Sequence, residues 1–477
     1  MAQPALTNFI AGRSAAHEGA AAELFSPARL RGYARLVDSG AEAVAAAIAD
    51  AQEAQRRQRR STVLQRAQWL EAAAAAVAGA EAELIELIIH DIGKPRRAAT
   101  FEVQRAAQYL KACAGTVLNL AGETVPVDAA PAGAGRFGFT MRIPFGVVAG
   151  ITPFNAPINL LCQKVAPALA AGNAIVVKPH PAGTRVALKV AQLFAAAGTP
   201  AGLFNVVTGD REAATRLAGH ADVAAVSFTG STAGGEALVR IAGAKKFVSE
   251  LGSNSANVVL ADADLADAAK RIAAAAFEAS GQQCVSAQRV IVEKGVFDRF
   301  LEQFVAAARA LKVGDPYDAA TDLGPMVSRE AARRVMRMAS DTIAAGGRFA
   351  LEPVADECTV SPGILVGAPR ETSIWCDEVF GPLAVVVPAA DAEEALALAN
   401  DSPFGLQGSL FTRSLPEAMR FARDFDVGAL WINEASRFRL DMYPFGGVKR
   451  SGTGREGIKY SIEEMSQLKF VGMRFDV

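Results

Sequence analysis

From Gly146 onward the chain alternates short apolar runs with helical stretches, and this alternation restricts the possible folds more than any other feature. Val147-Val-Ala-Gly-Ile, Ile175-Val-Val, Phe204-Asn-Val-Val and Ala224-Ala-Val-Ser-Phe read as strands, with helical segments such as Arg185 to Ala197 between them. Strand and helix at this pitch imply a parallel sheet with crossover connections, so the fold class is α/β. A second series follows in Ala256-Asn-Val-Val-Leu, Arg289-Val-Ile-Val and Leu383-Ala-Val-Val-Val. The tail Leu468-Lys-Phe-Val-Gly-Met-Arg-Phe reads as one more strand, and its distance in sequence from any neighbour points to pairing with another subunit. Upstream, residues 41 to about 121 read as successive helices, with Leu84, Leu87 and Ile88 at helical spacing and a break at Lys94-Pro95. Residues 122 to 145 change character: Pro126, Pro131 and several glycines precede the alternating run Phe137-Gly-Phe-Thr-Met-Arg.

Composition removes several function classes. The 477 residues suffice for two or three domains. The apolar content of 51% is largely alanine, and no uncharged apolar run reaches the roughly 18 residues of a membrane span. Met1 to Ala20 lacks the basic start and apolar block of a secretory signal. A formal net charge of −1 gives no field to attract nucleic acid or an anionic membrane. The five cysteines, Cys113, Cys162, Cys284, Cys358 and Cys376, are odd in number and widely spaced. That argues against a disulfide framework and a structural zinc site, and points to a reducing cytoplasm. His17, His90, His180 and His220 are too scattered to expect a metal centre.

One literal GxGxxG occurs, Gly452-Thr-Gly-Arg-Glu-Gly457, but it follows no strand and is rejected as a dinucleotide fingerprint. Chemistry has to come from other segments. Cys284 lies in a Gly/Gln/Ser-containing turn before an apolar strand, and is either a nucleophile or a buried structural cysteine. Asn155, between Pro153 and Pro157, is either an amide donor for an oxyanion or a turn residue. Glu250 is either a base at a strand end or a solvated carboxylate. Gly230 and Ser231 open a helix after a strand, where bare backbone suits a pyrophosphate. Lys178 and Glu378, taken alone, read as surface charges.

Order and spacing decide among these alternatives. Gly93-Lys-Pro, Ile151-Thr-Pro-Phe-Asn155-Ala-Pro, Val177-Lys178-Pro179, Phe228-Thr-Gly230-Ser231-Thr232, Glu250-Leu-Gly252-Ser-Asn, Gly281-Gln-Gln-Cys284, Glu378-Val-Phe380-Gly-Pro and Pro444-Phe-Gly-Gly-Val-Lys-Arg-Ser-Gly occur in that order. Together they closely resemble the aldehyde dehydrogenase superfamily, across nearly the whole chain up to Gly454-Arg-Glu. The resemblance implies a Rossmann-type cofactor domain from residues 1–125 and 145–250 and an α/β catalytic domain from 251–450. It also implies a small β oligomerisation element from 126–144 and 451–477, and hence a homodimer or homotetramer. It makes Cys284 the nucleophile towards a small-molecule aldehyde, Asn155 the oxyanion donor and Glu250 the base that hydrolyses the thioester. Thr152, Phe154, Lys178, Gly230, Ser231, Gly252, Glu378 and Phe380 become the residues for NAD or NADP, Lys178 and Glu378 at the riboses and Phe380 near the nicotinamide.

The sequence also departs from the pattern. Pro181, after His180, stands where many NAD-selective relatives carry an acid, which admits NADP. Phe154 stands in a frequent tryptophan position, Ser253 in a frequent glycine position, and Gln163 where some phosphonoacetaldehyde-oxidising relatives carry histidine. The loop Asn433 to Asp441 resembles those of relatives oxidising small polar or anionic aldehydes such as lactaldehyde and semialdehydes. In it Arg437 or Arg439 either binds an anionic tail or pairs with Asp441 or Glu434. The rival functions are a coenzyme A-acylating dehydrogenase, disfavoured by the presence of Glu250, and a non-enzymatic protein that kept the fold.

Overall fold

The protein is described from a computed structural model covering residues 3–475. The first α/β series forms an eight-stranded sheet, in the order Gly452–Thr453, Lys246–Glu250, Ala225–Thr229, Val147–Thr152, Ala174–Pro179, Phe204–Val206, Asn8–Ile10 and Arg13–Ala15. The five strands between Lys246 and Val206 in this order run parallel, and the outer ones are antiparallel. The chain leaves Val147–Thr152 on one side and returns at Ala225–Thr229 on the other. The strand order therefore reverses between these two, and the crevice beyond their carboxyl ends is where ligands bind in open sheets of this kind. Strands Val147–Thr152 and Ala174–Pro179 are buried along their whole length, as their unbroken apolar runs require.

Helices Ala41–Arg57, Val63–Gly79, Glu81–Ile92 and Arg96–Val117 contribute their apolar faces to the first core. Thr62 and Gln65 form a reciprocal capping box at the second of them. Gly93, at φ 71°, ends the third and Pro95 precedes the fourth. The helix Asn159–Ala170 is buried at every position and runs through the centre. Glu102 fixes its start, with Oε1 accepting the N–H groups of Ile158 at 3.0 Å and Asn159 at 3.3 Å, while Lys94 pairs with the other carboxylate oxygen.

A seven-stranded sheet follows, in the order Arg348–Leu351, Gly363–Val366, Leu383–Ala389, Arg289–Glu293, Ala256–Val259, Gln407–Phe411 and Ala429–Ile432, parallel except at Arg348–Leu351. The N-terminal segment, for which sequence gave no strand, supplies the edge of the first sheet and a separate sheet of Ala5–Leu6, Arg31–Val37 and Ala21–Ser26.

The tail strand Ser466–Arg474 pairs antiparallel to Arg136–Pro144, which also pairs with Thr124–Val125, and its other edge is open among the described residues. Helix Ile458–Glu464 precedes it and leaves Ser466 opposite Pro144. One boundary of the small element needs correction. Residues 451–465, assigned to the small β element, lie elsewhere. Gly452–Thr453 extends the first sheet at Lys246–Glu250, and Ile458, Ile462 and Met465 sit in the first core.

Candidate active site

The carboxyl ends of the first sheet and the segments leading into the second sheet meet at one place. Asn155 follows strand Val147–Thr152, and its Nδ2 donates to Gln282 O at 3.0 Å. Gln282 belongs to the turn before strand Arg289–Glu293 that carries Cys284. This turn is held in an unusual shape. Ala279, Ser280 and Gly281 all take left-handed backbone, at φ 53°, 57° and 64°. Non-glycine residues occupy that region only when their surroundings enforce it, and such strain gathers at functional sites. Here Ser280 Oγ donates to Gly324 O at 2.6 Å, Gln282 Oε1 accepts from Val327 N at 3.0 Å, and Ser286 Oγ donates to Gly281 O at 3.0 Å. A Cβ on Gly281 would meet Gly381 O at 2.2 Å.

Cys284 is half-buried against Val285, Leu406, Tyr443 and Phe445. Burial pushes its thiol up to about 12, Arg439 opposes this, and Glu378, Glu250 and Glu456 add to it. Glu250 ends strand Lys246–Glu250 and is fully buried rather than solvated, and neither carboxylate oxygen has a hydrogen-bond partner among the described residues. Burial and the neighbouring Glu456 hold its carboxyl well above the usual range, against Arg439, Lys164 and Arg455.

The sites read for a nucleotide lie around the reversal of strand order. Lys178 Nζ donates to Gly209 O at 3.3 Å and Asp210 O at 3.1 Å, and burial brings its ammonium down to about 8, against Asp210 and Asp38. Thr152 is buried, and its carbonyl accepts from His180 N at 2.8 Å. The His180 ring lies 5.1 Å from Phe154, and its Nδ1 accepts from Ala182 N at 3.2 Å. Burial and Lys178 bring its pKa down to about 4, so the neutral ring carries its proton on Nε2. Phe154 meets Phe380 edge-on at 5.8 Å. Ser231 Oγ accepts from Gly234 N at 3.2 Å at the start of helix Thr232–Ala242. A Cβ on Gly230 would meet the Phe228 ring at 2.6 Å; one on Gly252 would meet Thr232 Oγ1 at 2.9 Å and Glu378 Oε2 at 3.0 Å. Bare backbone at the helix start and the Glu378 carboxylate beside it suit a pyrophosphate and a ribose diol. Glu378 also accepts from Ser253 N at 3.0 Å, and burial lifts it to about 7, against that N–H and Arg334. The Ser253 hydroxyl is satisfied by Ser255 Oγ at 3.2 Å, which gives it a local structural use.

Residues 14–471 match the model of the aldehyde dehydrogenase family. The chain belongs to the aldehyde dehydrogenase family. It is 41% identical over 390 residues to the 3-sulfolactaldehyde dehydrogenase of Priestia megaterium, covering 82% of each chain. Among solved structures it is similar to the lactaldehyde dehydrogenase of Escherichia coli, with a TM-score of 0.95 at 32% identity over 99% of this chain and 100% of that one. It is equally similar to the NADP-dependent glyceraldehyde-3-phosphate dehydrogenase of Bacillus halodurans C-125 complexed with NADP, with a TM-score of 0.95 at 31% identity over 99% and 100%.

In this aldehyde dehydrogenase the two loop arginines have partners other than those expected. Arg437 pairs with Glu278 at 2.5 Å and donates to Gln283 Oε1 at 2.8 Å. Arg439 pairs with Glu456 at 3.0 Å. Asp441 instead accepts both arms of Arg105, at 2.9 and 2.6 Å, and Glu434 takes Arg271 at 2.7 Å. Sequence reasoning missed Lys164, Glu456 and Arg105. Lys164 is completely buried beside Ser227 Oγ at 3.1 Å and Glu456 Oε1 at 3.4 Å. Its signal was a lone cation in the apolar run Asn159-Leu-Leu-Cys-Gln-Lys-Val. Glu456 sat inside the rejected glycine motif.

Proposed function

We infer that this protein oxidises a small polar or anionic aldehyde to its acid with NAD or NADP, through a thiohemiacetal and a thioester on Cys284. The observation that carries this reading is the meeting of three groups from separate elements. The Asn155 amide touches the Cys284 turn, and Glu250 ends strand Lys246–Glu250 with both carboxylate oxygens buried and without a partner among the described residues. Sulfur attacks the carbonyl carbon, and the negative charge that develops on oxygen is met by Asn155 Nδ2–H and the backbone N–H of Cys284. Lys178 and Glu378 would hold the riboses, Gly230 and Ser231 with Thr152 and Gly252 the phosphate path, and Phe154 and Phe380 the nicotinamide end. The oxidised nicotinamide, when bound, would supply the hydride acceptor beside the carbon held on Cys284. Glu250 then takes a proton from water as that water attacks the thioester, and the acid leaves. The absence of an acid at Pro181 supports tolerance of a 2′-phosphate.

The relatives named above act, by name, on 3-sulfolactaldehyde, lactaldehyde and glyceraldehyde 3-phosphate, all short α-hydroxyaldehydes. These head the panel to assay, beside propionaldehyde and benzaldehyde, each with NAD and with NADP. Cys284→Ala is expected to abolish reduction of cofactor while the protein still quenches on binding it. Undiminished oxidation by that variant would overturn the mechanism. A homodimer or homotetramer is part of the same proposal, supported by the exposed apolar side chains of the small sheet.

A further inference from the structure

Cys284 stands between two residues gripped by one loop. Ser436 Oγ donates to Val285 O at 2.9 Å, and Arg437 Nε donates to Gln283 Oε1 at 2.8 Å. The loop takes its place from the second sheet. Ser436 is fully buried; its N–H donates to Asn257 Oδ1 at 3.1 Å, its Oγ accepts from Asn257 Nδ2 at 2.9 Å, and its carbonyl accepts from Gln407 Nε2. Asn257 and Gln407 lie on the neighbouring strands Ala256–Val259 and Gln407–Phe411. Arg437 reaches further along the turn, where Nη1 donates to Glu278 Oε2 at 2.5 Å. Glu278 and Gln283 stand on either side of the left-handed run Ala279-Ser280-Gly281, so one guanidinium joins the two ends of the strained segment. Helix Arg96–Val117 steadies the far end: Arg97 lies 3.5 Å from Glu278 Oε1 and 2.7 Å from Asp322 Oδ1.

We propose that Arg437 is a positioning residue for the reaction, its guanidinium closing the turn that carries Cys284 by binding Gln283 and Glu278 together. This rests on the reading of Cys284 as nucleophile. Left-handed backbone at two non-glycine residues relaxes unless its surroundings hold it. Gly324 and Val327 hold Ser280 and Gln282, while Arg437 joins Glu278 to Gln283. The arginine and Glu278 are 26% and 25% exposed, and an ion pair that open to solvent adds little stability. What the contact supplies is geometry. The planar guanidinium holds both N–H donors in fixed directions, which a lysine ammonium on a flexible stem does not. Glu278 already provides the counter-charge, so an anionic substrate tail would have to displace it. A nucleophile displaced by about 1 Å loses rate even when substrate binds as before.

Rapid mixing of the full-length protein with oxidised cofactor and aldehyde reads the first burst of reduced cofactor, and with it the attack by sulfur. Arg437→Gln is expected to slow the burst about tenfold with uncharged lactaldehyde and with glyceraldehyde 3-phosphate alike, each KM staying within about twofold. A loss confined to the KM of glyceraldehyde 3-phosphate makes the arginine a substrate ligand and overturns the proposal, as does an unchanged burst. Gln283→Met removes the acceptor through which Arg437 acts, so the double variant is expected to lie within about threefold of the slower single variant. Losses that multiply across the two sites count against it. Deuterium exchange followed by mass spectrometry on peptide 278–286 reads the turn without the chemistry. It is expected to quicken in Arg437→Gln while the peptide of strand Ala174–Pro179 keeps its rate, and equal exchange in the two proteins sinks the idea. If Arg437→Gln no longer binds cofactor by fluorescence quenching, Arg437→Lys decides instead. It keeps a charge for Glu278 without the bond to Gln283, and is expected to slow the burst about threefold at an unchanged Tm; the wild-type burst rate would overturn the proposal. A Cys284 that is not the nucleophile would show separately, as turnover retained in Cys284→Ala, and leaves the exchange comparison intact.

Discussion

A buried carboxyl group whose two oxygens find no partner is an expensive feature, and among the described residues Glu250 is one. Its surroundings explain how it persists: burial and Glu456 keep the proton on, while Arg439, Lys164 and Arg455 make its removal possible. Such a group acts as a base only above its raised pKa, so wild-type turnover is expected to climb with pH through that value. Glu250→Gln keeps the shape and removes the base. It is expected to preserve the first burst of reduced cofactor and to slow steady-state turnover by about 10²- to 10⁴-fold, with the pH-dependent rise lost. Rapid mixing followed by steady-state absorbance separates the two phases, and an unaltered steady state would remove Glu250 from the hydrolytic step.

The elements that position these residues differ in how far the sequence disclosed them. The run Val147 to Ile151 falls inside the strand Val147–Thr152, and Arg185 to Ala197 is one residue out of step with helix Thr184–Ala196. Strands buried on both faces need unbroken apolar runs, and buried helices need a regular apolar face, so both leave a strong pattern. Ahead of residue 31 the strands leave none, because Ala5–Leu6, Asn8–Ile10 and Arg13–Ala15 are only two or three residues long and Ala21–Ser26 is exposed at its first three positions. Lys164 and Glu456 stayed hidden for another reason: a buried ion pair depends on what the fold brings together, and their separation of 292 residues carries no local signature. Glu102 is of the same kind. It ties helix Arg96–Val117 to the start of helix Asn159–Ala170, four residues after Asn155. Glu102→Ala would leave Lys94 unpaired and the helix start uncapped, at a cost of about 3 to 5 kcal/mol for the broken pair. A fall in Tm of several degrees is expected, with Glu102→Gln recovering part of it through the retained acceptor. Equal melting of Ala variant and wild type would show that the helix start is held by packing alone.

At the scale of the whole molecule the two large sheets turn opposite ends to the site. The first presents carboxyl ends, bearing Asn155, Lys178 and Gly230. The second presents the segments entering its strands, bearing Ser253, Cys284 and Phe380. The small third sheet lies apart from both, and it is the least self-sufficient part of the fold. Its register sets Met473 beside Phe137, Val471 beside Phe139 and Lys469 beside Met141 on one face. Phe137, Met141 and Met473 are each at least 40% exposed, and Ser466–Arg474 is an edge strand with one side unpaired. Exposed apolar faces and open edges of this kind are liabilities unless covered, and a second copy of the chain covers both at once. The double variant Phe137→Asp/Met141→Asp puts charge on that face at positions the single chain does not bury. It is expected to lower the mass measured by sedimentation or light scattering to that of one chain while helix and strand content by circular dichroism stays unchanged. A variant that keeps the wild-type mass would place the subunit contact on another surface.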